Sequence, residues 1–314
     1  MNFRTEIKIL EAENKINYNS SIVTFGSCFV ENIGEKLNYF KFLILKNPFG
    51  ILFHPVAIEN AVRDIVEERK YINSDFVFQN ERWHSFKHHS VFSNASLSDL
   101  IKNTSEINFK TKEKLKNASH VFITLGTAWV YRYLKTEKLV SNCHKIPQKE
   151  FQKELLSVKE IQSSLNKIIF RLKNENPKVS IIFTVSPVRH IKNGIVENMR
   201  SKANLLSAIH TIIDRNENCF YFPSFEIMMD DLRDYRFYKD DFLHPNDLAI
   251  EYIWDKFQKT WIDSEEFSTM KEIDSIQKGI QHKPFNPESE QHKKFLQKLN
   301  IKKENLFKKK GIKF

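Results

Sequence analysis

Glycine is scarce in this chain, with seven in 314 residues, and cysteine scarcer still, with three. Three cysteines in a chain this long give no disulfide framework, and reduced thiols suit a cytosolic protein. No apolar run approaches the roughly 18 residues that a membrane-spanning helix needs. The first fifteen residues, MNFRTEIKILEAENK, lack the apolar segment and small-residue cleavage site of a secretory signal, so the expected location is cytoplasmic. Neither G-x-x-x-x-G-K-[ST] nor G-x-G-x-x-G occurs, which leaves nucleotide binding without support, and no cofactor is expected. Trp83, His84, His88 and His89 crowd one segment without a carboxylate or thiol at ligand spacing. They read as pocket wall, and no metal site is expected.

What is present is apolar and aromatic. Hydrophobic residues make up 41% of the chain and phenylalanine alone contributes 27, enough for a packed α/β core. The formal net charge of +10 is unevenly spread: residues 291–314 hold nine Lys against one Glu, leaving about +2 for the rest. A lysine-rich end of this kind reads as a solvated helix, so no specific nucleic-acid partner is expected. Oligomeric state is not legible.

Short β-branched and aromatic runs at 22–25, 42–46, 120–125, 179–185 and 219–222 alternate with helical patterns. The helices are expected at 32–38, 55–68, 158–174, 199–214 and 246–260. This alternation predicts a parallel sheet covered on both faces. Residues 1–262 are expected to form that α/β domain. Within it 70–117 is a polar, irregular insertion, either a lid or a pocket wall, and 263–314 is a basic helical extension. Gly26 and Gly126 end predicted strands and Gly50 follows a third after a short turn, which suits open backbone near a ligand.

Ser27 and Cys28, where the first strand meets a helix, are two adjacent nucleophile candidates. Asp241 and His244, three residues apart, have the spacing by which a carboxylate fixes one imidazole tautomer and leaves the other nitrogen free as a base. A thiol at a helix start beside a histidine is expected to have a lowered pKa. The alternatives are Ser27 as nucleophile, or Cys28 as a small buried residue.

FGSCFVENIG, NPFGILFHP, ITLGTAWVY, NCHKIP, FTVSPVRH and YFPSFEIMMDDLRDYRFYKDDFLHP together run across most of residues 20–260. In these stretches the chain resembles the GSCFA family, which is grouped with the SGNH/GDSL hydrolases. The resemblance implies a flavodoxin-like three-layer sandwich with a five-stranded parallel sheet and the nucleophile just after the first strand. Aligned on G-D-S, Gly26-Ser27-Cys28 puts Cys28 in the nucleophile's place, with Asp241 and His244 as its partners. It further implies an oxyanion amide at Gly50 and a contribution from the Gly126–Thr127 loop. Ala128 stands where the superfamily's L-G-T-N-D block has its oxyanion asparagine. Asn142, His144, Arg189 and His190 are candidates to replace it. The activity implied is hydrolysis of ester bonds on a small-molecule or carbohydrate acyl ester. O-acyl transfer through Cys28, or a non-catalytic binding protein on the same fold, are the alternatives.

Overall fold

The computed structural model describes residues 5–314. Five parallel strands form the central sheet: β1 (Ser21–Gly26), β2 (Leu43–Lys46), β5 (His120–Leu125), β9 (Ser180–Val185) and β10 (Cys219–Tyr221). Their spatial order is β10-β9-β5-β1-β2. In order of appearance this is 2-1-3-4-5, the flavodoxin-like arrangement, whose ligand crevice lies where the order reverses, between the carboxyl ends of β1 and β5. Each strand falls within a residue or two of its expected place, because the β-branched runs are bounded by turn residues.

The alternation of side chains along the strands divides the core in two. Val23 and Phe25, Val121, Ile123 and Leu125, and Ile181, Phe183 and Val185 face α2 (Pro55–Val66), α4 (Val158–Glu175) and α5 (Ile195–Ile213). Ile22, Phe122 and Ile182 face the other way, toward α1 (Cys28–Tyr39) and α7 (Asp247–Trp261). The C-terminal region is helical, as α8 (Phe267–Gln281) and α9 (Glu290–Lys310). Ile273 and Ile276 of α8 and Leu299 and Leu306 of α9 are buried in that same second core, while the lysines of α9 point outward. A three-residue helix, α6 (Ser224–Glu226), runs into a π-turn at Ile227–Asp231. Among the described residues no helix is long and apolar enough to cross a membrane.

Two regions differ from expectation. Residues 70–117 contain a hairpin, β3 (Phe76–Gln79) with β4 (Arg82–Ser85), and then a 20-residue helix, α3 (Leu97–Lys116). The buried stripe of α3 is Leu100, Thr104, Asn108, Thr111 and Leu115. Three of its five positions are polar, so the apolar periodicity that reveals a helix is missing. Thr104 and Thr111 satisfy their hydroxyls on carbonyls one turn back, and Asn108 bonds the Asp64 carbonyl. After β5 the chain also leaves the sheet to build an antiparallel trio, β6 (Trp129–Tyr133), β7 (Lys138–Val140) and β8 (Phe151–Leu155).

Candidate functional site

Gly26 closes β1 with φ +142°, and a Cβ there would lie 2.2 Å from the Thr124 carbonyl oxygen. Only glycine lets β1 and β5 stay paired at this point and turn into a helix at once. Gly26→Ala should therefore cost on the order of 3–5 kcal/mol, strain plus overpacking, read as a lowered denaturant midpoint. The ladder runs one residue further, since the Ser27 amide donates to Thr124 O at 3.1 Å.

The next two residues have different surroundings. Ser27 is the N-cap of α1, fully buried, and its hydroxyl has no hydrogen-bond partner and caps no amide. Cys28 is the first residue of the helix and is partly exposed. Its own amide and that of Phe29 face the sulfur and favour the thiolate, as does Lys202, while Glu31 opposes it. Burial outweighs these, and the thiol lies above its ordinary value rather than below it. The expected lowering by the helix start is present but loses to desolvation.

Register places the site. Gly26 is level with Thr124, and Leu125 with Val185. Gly126 and Ser186 follow the ends of the neighbouring strands β5 and β9, and Cys28 opens α1 two residues after the end of β1. Against the ends of β5 and β9 lies Lys202 of α5, at 1% exposure the one lysine in the buried interior among the described residues. Its Nζ donates to Gly126 O at 2.8 Å and Ser186 O at 2.7 Å, and sits 5.5 Å from the Phe225 ring centre. Burial pushes the amine down to about 7, with Arg189 pushing the same way and Cys28 pulling up. Lys202 is the buried titratable residue at these strand ends that sequence reading missed. A signal existed, since it falls on the buried stripe with Leu205, Ile209 and Ile212, where a charge has to be satisfied by something specific.

The Asp241–His244 pair forms as its spacing predicts. Asp241 Oδ2 lies 2.6 Å from His244 Nδ1, and its Oδ1 accepts the amides of Leu243 and His244 at 2.9 and 3.0 Å. The two amides first, and the imidazole after them, hold this carboxyl down at about 2. Both side chains are close to half exposed, at 43% and 45%. The Arg189 amide donates to Leu243 O at 3.2 Å and ties this turn to the segment after β9. Next along that segment, His190 is partly buried with its Nε2 enclosed and unpartnered, 3.3 Å from where a Gly126 Cβ would be. Burial drives His190 down to about 4, with Lys202 and His244 adding to it, so its ring is neutral. Gly126, His190 and Lys202 thus come together at the carboxyl end of the sheet, with the Asp241–His244 turn tied to the same segment through Arg189.

The other expected residues are occupied elsewhere. The Gly50 amide donates to Asn47 O at 2.7 Å inside its turn, and the amides of Gly126 and Thr127 both donate to Phe53 O, at 2.8 and 3.1 Å. The Thr127 hydroxyl pairs with Ser201 Oγ, which also takes the amide of the buried Ala128. Asn142 bonds Ser90 and the His144 amide. His144 bonds the Ser85 carbonyl and stacks on His84, so this pair belongs to a histidine-rich cluster beside the β6–β8 trio. Arg189 reaches Met229 Sδ and leaves Nε without a partner. It lines a cleft of about 410 Å³ with Met228, Met229, Leu232, Tyr238 and Asp241, a volume typical of small-molecule pockets.

The GSCFA family model matches residues 21–257, and the model of the GSCFA domain protein C-terminal domain matches residues 273–312. None of the curated proteins compared matches the chain. Among solved structures, the chain is similar to a Clostridium thermocellum family 3 carbohydrate esterase at 12% identity and a TM-score of 0.33. That match covers 80% of this chain and 97% of the other. It is also similar to the acetyl xylan esterase Est2A from the rumen bacterium Butyrivibrio proteoclasticus, at 9% identity and a TM-score of 0.38. There the match covers 78% of this chain and 64% of the other.

Proposed function

The chain belongs to the GSCFA family, and on that premise we propose that it is an ester hydrolase in which Cys28 carries the acyl group. The observation behind the reading is Cys28 opening α1 directly after β1, at the carboxyl end of the sheet where the buried Lys202 amine bonds Gly126 O and Ser186 O, together with the formed Asp241–His244 pair. Sγ attacks the acyl carbonyl and forms a thioester. His244, its Nδ1–H held by Asp241, presents Nε2 to the water that then cleaves it. The substrate class is a small-molecule or carbohydrate acyl ester, with the cleft beside Asp241 receiving part of it.

Ser27 is the weaker nucleophile in this reading because its hydroxyl is sealed from solvent and has no base. Ser27→Ala should leave kcat/KM for p-nitrophenyl acetate within about threefold, and stability equal or slightly higher, since an unpaired buried hydroxyl is removed. A large loss of activity in that variant would transfer the role to Ser27. A second reading, a binding protein without catalysis, is favoured by the amides of Gly50, Gly126 and Thr127 already being bonded within the protein. The two are separated by p-nitrophenyl acetate hydrolysis. His244→Ala should lower the rate about 10²–10⁴-fold, the usual range for a positioned acid–base group. Equal rates in wild type and variant would leave the binding reading.

A further inference from the structure

We propose that the cleft beside Asp241 binds a carboxylate through Arg189. The preferred substrate is then an ester whose acyl group carries a carboxylate on an apolar chain. The inference rests on the ester-hydrolase reading for the reaction and adds to it a specificity-determining residue and a substrate class. The charged side chains lining the cleft are Arg189, Arg233, Asp234 and Asp241. All but Arg189 are engaged elsewhere: Arg233 with Asp230 at 2.7 Å, Asp234 with Arg236 at 3.1 Å, and Asp241 with the His244 imidazole at 2.6 Å. Arg189 makes no ion pair among the described residues. Its Nη2 donates to Met229 Sδ at 3.2 Å, and its enclosed Nε–H has no partner.

A half-buried guanidinium without an anion is costly among apolar side chains, and this cleft is apolar. Met228 and Leu232 are buried in its wall, while Ile191, Ile195, Tyr235 and Phe242 line it and stay exposed. The Tyr235 and Phe242 rings meet edge to face at 5.8 Å. Phe242 holds φ +55°, a left-handed conformation that bulky side chains rarely adopt and glycine adopts without strain. The turn thus keeps an aromatic ring on the cleft at some cost in backbone strain, as ligand-facing positions often do.

A thioether is a weak acceptor, and a carboxylate displaces it with a charge-assisted bond about twice as strong as a neutral one. One guanidinium balances one negative charge. A carboxylate is neutralised by it, whereas a phosphate dianion keeps excess charge in an apolar cleft. The Asp241 carboxylate does not compete for Arg189, since its Oδ1 takes two amides and its Oδ2 the imidazole. The apolar walls suit the methylene chain of such an acyl group, with its ester end toward Asp241.

Calorimetric titration with the monoamide of adipic acid and with its diamide reads the anion alone, because the two differ in one end group and neither is an ester. Wild type should bind the monoamide at least about tenfold more tightly, the value of one charge-assisted pair. Arg189→Met should abolish that preference. Phe242→Gly should weaken both ligands together, since it removes an apolar wall and leaves the turn unstrained. Equal affinities in wild type, a preference that survives in Arg189→Met, or unaltered affinities in Phe242→Gly would each overturn the proposal. Should Arg189→Met fail to fold, nitrogen NMR of the wild-type guanidinium decides. The Arg189 Nε–H resonance should shift with the monoamide and not with the diamide, and equal or absent shifts overturn the assignment. Monoamide preference without turnover of p-nitrophenyl acetate would remove the hydrolase reading and leave the anion cleft. Turnover without the preference would overturn the anion cleft and leave the hydrolase.

Discussion

Replacing Cys28 by alanine should lower kcat/KM for p-nitrophenyl acetate by at least about 10³-fold, because losing the nucleophile of a covalent mechanism removes the reaction path rather than one contribution to it. The fold should hardly notice. Cys28 is the first residue of α1 and partly exposed, Ser27 provides no side-chain cap, and alanine is a good helix former. The residual rate should then be insensitive to His244, since an acid–base group has nothing to act on once the thioester cannot form. Measuring kcat/KM for Cys28→Ala, His244→Ala and the double variant checks this, and additive losses would mean that the two residues do not act as a unit.

Lys202→Met should change how stability depends on pH more than it changes stability at any one pH. The amine titrates near 7 in the folded chain and near its ordinary 10.5 when unfolded. Between those values the unfolded chain binds the extra proton, so this group makes stability rise with pH from about 7 to 10.5. At about 1.4 kcal/mol per unit, its contribution across the window is on the order of 5 kcal/mol. Methionine cannot titrate and removes that slope. It also leaves the Gly126 and Ser186 carbonyls without their donor, costing about 1–3 kcal/mol for each. The two effects have opposite sign below pH 7, where the charged amine is itself costly to bury. The variant's deficit should therefore be smallest at low pH and grow as pH rises. Denaturant midpoints of both proteins from pH 6 to 10 measure it, and parallel curves would mean that the buried lysine has an ordinary pKa.

These two residues mark what the sequence could reveal and what it hid. The strands were legible because each is a short β-branched run ended by a turn residue, and Gly26 announces its bend through local chain sterics. The Asp241–His244 pair was legible for the same reason, since three residues in one turn suffice to bring carboxylate to imidazole. Lys202 was hidden because its partners lie at 126 and 186, positions brought together only by strand order. The helix α3 was hidden by chemistry instead, its inward stripe being threonines and an asparagine that bond backbone carbonyls. Gly50 was recognised as a turn glycine, but spacing says nothing of where its amide points, and that amide is used within its own turn.

The same contrast applies to the missing asparagine at Ala128. The sequence shows the departure and suggests polar neighbours that could compensate. Of those, Asn142 and His144 are engaged with Ser90 and Ser85, and His190 and Arg189 lie near the strand ends with nitrogen atoms unpartnered. A further donor comes from the adjacent helix, where the Lys202 amine follows the Ser201 hydroxyl that holds the Ala128 amide.

The measurement closest to the central claim is mass spectrometry of the protein quenched in acid during turnover of p-nitrophenyl acetate, followed by peptide mapping across residues 21–37. A single acetyl group on Cys28, absent from Cys28→Ala and accumulating in His244→Ala, is the predicted result. Acetyl on the Ser27 oxygen, or turnover with no acyl group anywhere in that peptide, would contradict it.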